Sequence, residues 1–202
     1  MKVAIINYGM GNVASVDKAI RNLGYESLIT NDSKEINDSD CIILPGVGAF
    51  AQGMENLNKL GLTELLNIEV IQNKKPFLGI CLGMQLIATK GFEPHPTKGL
   101  GWIEGEVIKI NEPNKSIPHL GWNEITVKNN SFLNEFDQKD FYFIHSYHFS
   151  VKKSEDIAAT VNYGNTFVAA IQKENIFATQ FHPEKSQSSG LSLIRMFLNL
   201  YA

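Results

Sequence analysis

The sequence predicts an α/β fold: a mostly parallel, open sheet flanked by helices, with extra antiparallel strands in the second half. Three observations predict it. Short apolar segments alternate with amphipathic helical patterns through the first half of the chain. Residues 41–44 form a continuous apolar run that ends at Pro45-Gly46, as expected for a strand buried on both faces. The second half instead contains short β-branched or aromatic segments separated by turns.

The elements of the first half follow a strand–helix rhythm, which is typical of parallel strands joined by crossover helices. Asn12 is placed to cap the first helix, and Gly24 is placed to end it. The predicted strands are 3–6, 27–30, 41–44 and 76–80, and the predicted helices are 12–23, 50–57, 62–72 and 82–88.

The second half is predicted to consist of strands followed by one helix. The predicted strands are 106–110, 124–127, 141–144, 157–161, 168–172 and 176–180. The closing helix is predicted at 191–201, with Ser188 or Ser189 as its N-cap. Since no linker, repeat or low-complexity tract divides the chain, residues 1–202 are predicted to form one domain.

The composition is that of an ordinary globular protein, with 44% hydrophobic and 19% charged residues and a formal net charge of −3. The lysines and arginines are scattered, which argues against a nucleic-acid or membrane-surface partner. The N-terminus lacks the pattern of a secretion signal, and no apolar stretch approaches the length of a membrane span. With only Cys41 and Cys81, no structural disulfide is expected, and the predicted location is the cytoplasm.

Cys81 is the strongest candidate for chemistry. It lies in the motif GICLG, residues 79–83, between a predicted strand and a predicted helix. This is the G-x-S-x-G nucleophile-elbow pattern with cysteine in place of serine, and its glycines permit a sharp turn that a Cβ would crowd. The sulfur is then held at a helix N-terminus, where backbone N–H groups favour the reactive thiolate. Cys41, inside an apolar run, is predicted to be a buried structural residue.

The segment QFHPE, residues 180–184, supplies a base and a carboxylate. Glu184 can approach the His182 imidazole from the same loop, set its tautomer and support the imidazolium, as in a serine triad. Together with Cys81, these two residues predict a Cys-His-Glu hydrolase. The other histidines have no ligand-type spacing with cysteines or carboxylates, so neither a metal nor another cofactor is expected.

Two glycine-containing turns leave alternatives open. PGVG, residues 45–48, is either a plain turn or a flexible strand end whose peptide N–H can point at a developing oxyanion. GMGNVA, residues 9–14, together with Asp32 matches the outline of a dinucleotide-binding fingerprint. A nucleotide site leaves Cys81 and His182 unexplained, so a tight turn at the carboxyl edge of the sheet is the preferred interpretation.

GICLGMQ at 79–85 and ATQFHPEKS at 178–186 resemble the two signatures of the class I (triad) glutamine amidotransferases. Four further segments are similar to one branch of that family, the glutaminase subunits of imidazole glycerol phosphate synthases. These segments are NYGMGN at 7–12, PGVGAF at 45–50, PHLGWN at 118–123 and YFIHSY at 142–147. The resemblance covers essentially the whole chain and implies the flavodoxin-like fold of the family.

The resemblance implies a role for each matching residue. Cys81 would attack the glutamine amide to form a glutamyl thioester, His182 would move the protons, and Glu184 would orient His182. The backbone N–H of Leu82 and, after its peptide reorients, that of Val47 would form the oxyanion hole. The residues implied to hold L-glutamine are Gln85, Glu93, His145, Ser146 and Tyr147. The residues implied to lie near a partner subunit are Asn12, Trp122, Tyr142 and Lys185.

The resemblance further implies that ammonia passes to a (β/α)8 cyclase subunit, in a heterodimer that makes imidazole glycerol phosphate and AICAR in histidine biosynthesis. Trp122, in a predicted loop, is expected to anchor that partner, with core packing as the alternative. Trp102 stands where the family more often has an aliphatic residue, which leaves open a related glutaminase for a different synthase, such as one forming an amidine on a surface sugar. A non-catalytic nucleotide-binding or regulatory module is the remaining alternative, against which the intact triad argues.

Overall fold

The computed structural model describes residues 1–128 and 132–201, which form thirteen strands and six α-helices. The strands are β1 Lys2–Ile6, β2 Glu26–Thr30, β3 Cys41–Gly46, β4 Phe77–Cys81, β5 Ala88–Gly91, β6 Thr97–Lys98, β7 Ile103–Lys109, β8 His119–Val127, β9 Asp140–His145, β10 Tyr147–Val151, β11 Ile157–Tyr163, β12 Asn165–Lys173 and β13 Ile176–Thr179. The α-helices are α1 Val13–Asn22, α2 Ser33–Asn37, α3 Phe50–Lys59, α4 Leu62–Leu66, α5 Leu82–Leu86 and α6 Gln187–Asn199. A π-helical segment, Asn67–Gln72, continues α4.

Nine strands form one sheet in the order β2-β1-β3-β4-β13-β12-β11-β8-β9. The five strands from β2 to β13 are parallel, and the remaining four are added antiparallel. The predicted fold class is therefore confirmed, including its antiparallel extension. The carboxyl ends of β1, β3, β4 and β13 meet at one edge of the parallel half, which is where open α/β sheets bind their ligands.

Successive side chains of the central strands point to opposite faces of the sheet, so the core consists of two apolar layers, one on each face. Ile43 and the alternate residues that share its face pack with α1 and α6, in a layer rich in phenylalanine. Ile42 and its equivalents pack with α3, α4 and α5. Because both faces are covered, β3 and β4 are buried along their whole length, which explains their continuous apolar sequences.

A second sheet, in the order β10-β7-β5-β6, departs from the sequence prediction. The predicted helix 82–88 is wrong at its end, because α5 stops at Leu86 and β5 begins at Ala88. Gly91 lets β5 lie directly against α3, since a Cβ there would come within 2.4 Å of Phe50 Cγ. Pairing of β5 with β7 therefore overrides the local helical pattern.

Two helix starts also differ from the prediction. The sequence prediction contains no counterpart of α2, which is capped by Asp32: its side chain accepts a hydrogen bond from Glu35 N–H at 3.0 Å. Helix α6 begins at Gln187, earlier than predicted, so Ser188 and Ser189 lie inside the helix and are not its N-cap. The spacing of Asp32 and Glu35 is that of a capping box, so the start of α2 is a local signal that the prediction missed.

Cys41 and Cys81 are both free and buried. Burial, together with the neighbouring Asp40 charge, raises the pKa of the Cys41 thiol far above its usual range, in agreement with a structural role. Within the described ranges, no helix has both the length and the apolar character needed to cross a membrane.

A buried ion pair ties the π-helical segment to α2. Lys75 Nζ lies 2.7 Å from Glu69 Oε2 and donates hydrogen bonds to the Ile36 and Asn37 carbonyls, each at 2.8 Å. The two charged side chains are only 11% and 8% exposed. All three donors of the ammonium group are therefore used inside the protein.

We predict that Lys75→Met lowers the free energy of unfolding by about 3–5 kcal/mol, because it leaves the Glu69 carboxylate buried without its counter-charge. Chemical denaturation measures the change. Lys74→Met is the matched control, since Lys74 forms a fully exposed pair with Glu174 and should contribute little. Equal effects of the two substitutions would contradict the prediction.

Candidate active site

Cys81 occupies a strained turn between β4 and α5. Its backbone has φ +54° and ψ −105°, a conformation that non-glycine residues rarely adopt. The flanking glycines are both required: a Cβ on Gly83 would lie 1.8 Å from Leu44 O, and one on Gly79 would lie 2.9 Å from Gly83 O. Such strain is typical of functional sites, and here it supports the predicted nucleophile elbow.

His182 and Glu184 form a buried hydrogen-bonded pair. His182 Nδ1–H donates to Glu184 Oε1 at 2.7 Å. This hydrogen bond fixes the orientation of the imidazole and leaves Nε2 as the ring nitrogen that can exchange a proton. Nε2 is buried and has no hydrogen-bond partner of good geometry among the described residues. Burial opposes protonation, but the Cys81 charge and then the Glu184 carboxylate outweigh it and raise the pKa of His182 to about 10. The Cys81 side chain and the Glu184 carboxylate therefore both favour the protonated form of His182.

The loop that carries His182 is hydrogen-bonded to strand β9. His182 N–H donates to Tyr142 O at 2.9 Å. The Ser186 hydroxyl donates to His182 O at 2.6 Å and accepts from Tyr142 N–H at 3.0 Å. His182 is therefore hydrogen-bonded to Tyr142 directly and through the Ser186 hydroxyl, and this holds the imidazole in place in the loop that follows β13.

A pocket of about 340 Å³ opens beside Cys81, which is within the range of roughly 300–1,000 Å³ that small-molecule sites occupy. Val47 and Leu82, the predicted oxyanion residues, line it together with Cys81. The predicted substrate residues also line it, namely Gln85, Glu93, His145, Ser146 and Tyr147. Burial raises the pKa of Glu93, the acidic side chain of this lining. The structure thus brings the predicted nucleophile, Cys81, and the predicted substrate residues around one cavity.

The comparison with protein families agrees with this geometry. Residues 4–200 match the family model described as glutamine amidotransferase class-I. The chain belongs to the class I glutamine amidotransferases. The match spans nearly the whole sequence, as the resemblance of the two signature motifs implies.

Curated relatives cover the chain from end to end. Imidazole glycerol phosphate synthase subunit HisH 1 of Campylobacter jejuni is 47% identical over 201 residues, covering 98% of this chain and 100% of the relative. Subunit HisH 2 of Methanococcus maripaludis is 45% identical over 199 residues, covering 97% of this chain and 98% of the relative. Among solved structures, PurLQS from Thermotoga maritima aligns with a TM-score of 0.75 and 18% identity, covering 100% of this chain and 99% of that one. The last similarity supports the fold alone.

Within the amidotransferase pocket, Gln85 is held by the protein itself. Its Nε2 donates to Tyr147 O and to Gln180 Oε1, at 3.0 Å each. Gln180 is fully buried, and its Nε2 donates to the Cys81 sulfur at 3.7 Å. Sequence reasoning assigns no role to Gln180, although its place two residues before His182 at the end of a predicted strand is a usable signal.

His145 and His119 form a neutral pair behind the pocket. His145 Nδ1–H donates to Tyr147 O at 2.8 Å, so its Nε2 accepts from His119 Nδ1–H at 3.0 Å. Burial lowers the pKa of His145 to about 3 and that of His119 to about 4. Neither ring is therefore placed to act as a general base, and the pair instead fixes the backbone around Tyr147. His119 is a second residue without a sequence-predicted role.

Three of the four predicted partner residues, Trp122, Tyr142 and Lys185, lie close together, and Lys185 also lines the pocket. Trp122 is 47% exposed, so the core alternative is wrong, and it lies in strand β8 and not in a loop. Its ring centroid is 6.0 Å from that of Tyr142, and Lys185 Nζ lies 5.9 Å from the Tyr142 centroid. Asn12 caps α1 as predicted, accepting from Ser15 N–H at 3.3 Å.

The two remaining alternatives lose their sequence support. Asp32, the acid of the dinucleotide fingerprint, is used as the cap of α2. Trp102 is buried against Phe77 and donates from Nε1 to Asn67 Oδ1 at 2.6 Å, so its size is a feature of the core and not of the pocket. Among residues 1–128 and 132–201, no group of three or more His, Cys, Asp or Glu side chains is arranged to hold a metal ion.

We predict that Cys81→Ser lowers the pKa of His182 from about 10 by more than Glu184→Gln does, because the charge on Cys81 is the stronger of the two raising influences. NMR titration of the histidine ring signals measures both values. The pKa of His148, which burial lowers, serves as the internal control and should not move. If the pKa of His182 is unchanged in Cys81→Ser, the charge interaction between Cys81 and His182 is contradicted.

Proposed function

We propose that this chain is the glutaminase subunit of an imidazole glycerol phosphate synthase. The observation that carries the proposal is the strained Cys81 beside the His182–Glu184 pair, at one pocket with the predicted glutamine-binding residues. Full-length relatives named as synthase subunits support the same assignment. The reaction is hydrolysis of L-glutamine to glutamate and ammonia.

The chemistry proceeds in two steps. The Cys81 thiolate attacks the side-chain amide carbon of glutamine, and the resulting oxyanion is held by the N–H groups of Leu82 and Val47. His182 then gives its Nε2 proton to the amide nitrogen, the C–N bond breaks, and ammonia leaves a glutamyl thioester. In the second step His182 takes a proton from water, the hydroxide attacks the thioester carbonyl, and the C–S bond breaks to release glutamate.

Substrate selection follows from the pocket lining. The Glu93 carboxylate is placed to receive the α-ammonium group of glutamine, and the backbone at Ser146 and Tyr147 offers polar groups for the rest of the molecule. Gln85 acts chiefly by holding Tyr147 and Gln180. The neutral histidine pair keeps the same backbone in one orientation.

Ammonia passes to a (β/α)8 cyclase subunit that covers the mouth of the pocket in a heterodimer. Four large apolar side chains are exposed at or near this mouth, which is unusual for a surface with no partner. They are Val47, Leu120, Trp122 and Ile144. A protein that buries them also closes the route from Cys81, so ammonia is not lost to water. The cytoplasm stays the predicted location, and a different synthase stays the alternative partner, which copurification would reveal.

We predict that Cys81→Ser abolishes glutamine hydrolysis but leaves ammonia-dependent synthesis by the complex intact. The hydroxyl is a far poorer nucleophile than the thiolate at this site, whereas synthesis from added ammonia does not need Cys81. Cys41→Ser is the matched control, since Cys41 is equally buried but lies inside β3, and it should alter stability more than rate. If Cys81→Ser keeps glutaminase activity near that of the wild type, the assignment of Cys81 as the nucleophile is wrong.

We further predict that Trp122→Ala weakens binding of the cyclase by about 2 kcal/mol or more, because a large exposed aromatic ring at an interface is a typical hot spot. Calorimetric titration measures the affinity, and thermal melting checks the fold. Leu200→Ala is the control, since Leu200 is 50% exposed at the end of α6. If Trp122→Ala binds the cyclase with unchanged affinity, Trp122 does not contribute to the interface.

A further inference from the structure

Tyr8 carries a polar atom that neither the fold nor the proposed mechanism uses. The residue is only 1% exposed, and its hydroxyl has no hydrogen-bond partner among the described residues. Burial, and secondarily the Cys81 charge, raise the pKa of Tyr8 far above its usual range, so the hydroxyl keeps its proton. A buried donor without an acceptor is rare in folded proteins and calls for an explanation.

The hydroxyl lies against the end of β3. A Cβ built on Gly46 would be 2.2 Å from Tyr8 Oη, so only glycine fits at that position while the ring stays in place. Gly46 is also the register partner of Cys81 across the β3–β4 pair. The peptide that joins Gly46 to Val47 therefore begins at a residue that neighbours both the unpartnered hydroxyl and Cys81.

The two sides of this peptide face different layers of the core. Cys81 belongs to the layer of Ile43, and Tyr8 belongs to the layer of Ile42 on the other face of the sheet. In a planar trans peptide the N–H and the C=O point in opposite directions. When the Val47 N–H turns toward the Cys81 face to receive an oxyanion, the Gly46 carbonyl consequently turns toward the Tyr8 face. The rotation changes ψ of Gly46 and φ of Val47, and glycine at position 46 lowers its cost because Gly46 has no Cβ.

We propose that the Tyr8 hydroxyl donates a hydrogen bond to the Gly46 carbonyl when this peptide turns, and thereby stabilises the arrangement with a complete oxyanion hole. Tyr8 is then a positioning residue, since it acts through the peptide and does not touch glutamine. This inference rests on the proposed glutaminase function. The hydroxyl lacks a partner in the present conformation because its acceptor arrives only with the turned peptide.

The test is Tyr8→Phe, which removes one oxygen atom and keeps the ring. Without the cyclase the turned peptide is a minor population, so the kcat for glutamine hydrolysis should fall by about tenfold, the value of one ordinary buried hydrogen bond. When the cyclase is present and has bound its own substrate, the decrease in kcat caused by Tyr8→Phe should be about tenfold at most. The KM for glutamine should stay within about twofold, and ammonia-dependent synthesis should be unchanged.

Stability separates this role from a structural one. A hydroxyl without a partner contributes nothing favourable to the present fold, so Tyr8→Phe should melt at the same temperature as the wild type or higher. Tyr25→Phe is the matched control, because the Tyr25 hydroxyl donates to Asn199 at the opposite edge of the sheet, and its loss should leave kcat unchanged. If wild type alone and in complex hydrolyses no glutamine, the proposed function fails. If wild type is active, then a kcat that is unchanged in the absence of the cyclase, a KM raised beyond that twofold range or a lower melting temperature in Tyr8→Phe overturns the role of Tyr8.

Discussion

Every functional feature of this protein depends on how closely the end of β3 approaches the turn at Cys81. A Cβ on Gly83 would lie 1.8 Å from Leu44 O, and one on Gly46 would lie 2.8 Å from Leu82 Cβ. The contact therefore requires glycine on both sides. It leaves Cys81 itself with φ +54°, a strain of about 1–3 kcal/mol that persists only because the buried strands on either side fix the backbone. The sulfur is presented to the pocket as a direct result.

Strand order then brings the other groups to that sulfur. β13 pairs in parallel with β4, so the chain leaves the sheet next to Cys81 and reaches His182 within a few residues. β9, at the far end of the sheet in strand order, curves back until the Ile144 carbonyl lies 3.9 Å from the Cys81 sulfur. Its Tyr142 backbone holds the His182 loop from the other side. The predicted triad is thus positioned by hydrogen bonds between the His182 loop and β9, and not by packing within one element.

The sequence predicts the parallel half of the fold well, because strands buried on both faces and helices with one apolar face have distinct patterns. The elbow and the His182–Glu184 pair are also predictable, since each is a short motif whose geometry is local. The small second sheet is not, because β5 and β6 have polar, short sequences that become strands only through pairing with β7. The contacts of Gln180, His119 and Tyr8 join residues far apart in the chain, and no single-sequence pattern reports such contacts. Trp122 shows the same limit, since a glycine-flanked tryptophan reads as a loop until β9 pairs with it.

The distribution of unsatisfied polar atoms links the fold to its chemistry. In the described part of the chain, four buried side-chain atoms lack a hydrogen-bond partner: Tyr8 Oη, Asp156 Oδ2, His182 Nε2 and Glu184 Oε2. Three of the four surround Cys81, whereas other buried polar side chains, such as Asn175, use their donors fully. An unpaired buried polar group costs about 1–3 kcal/mol of folding free energy. Most of this cost in the resting protein therefore falls on the candidate active site. In the proposed mechanism, a bound glutamine amide supplies a partner for His182 Nε2, and the rotated peptide supplies one for Tyr8 Oη. The free energy that each new hydrogen bond releases is then available to stabilise the reacting state, and not the resting one.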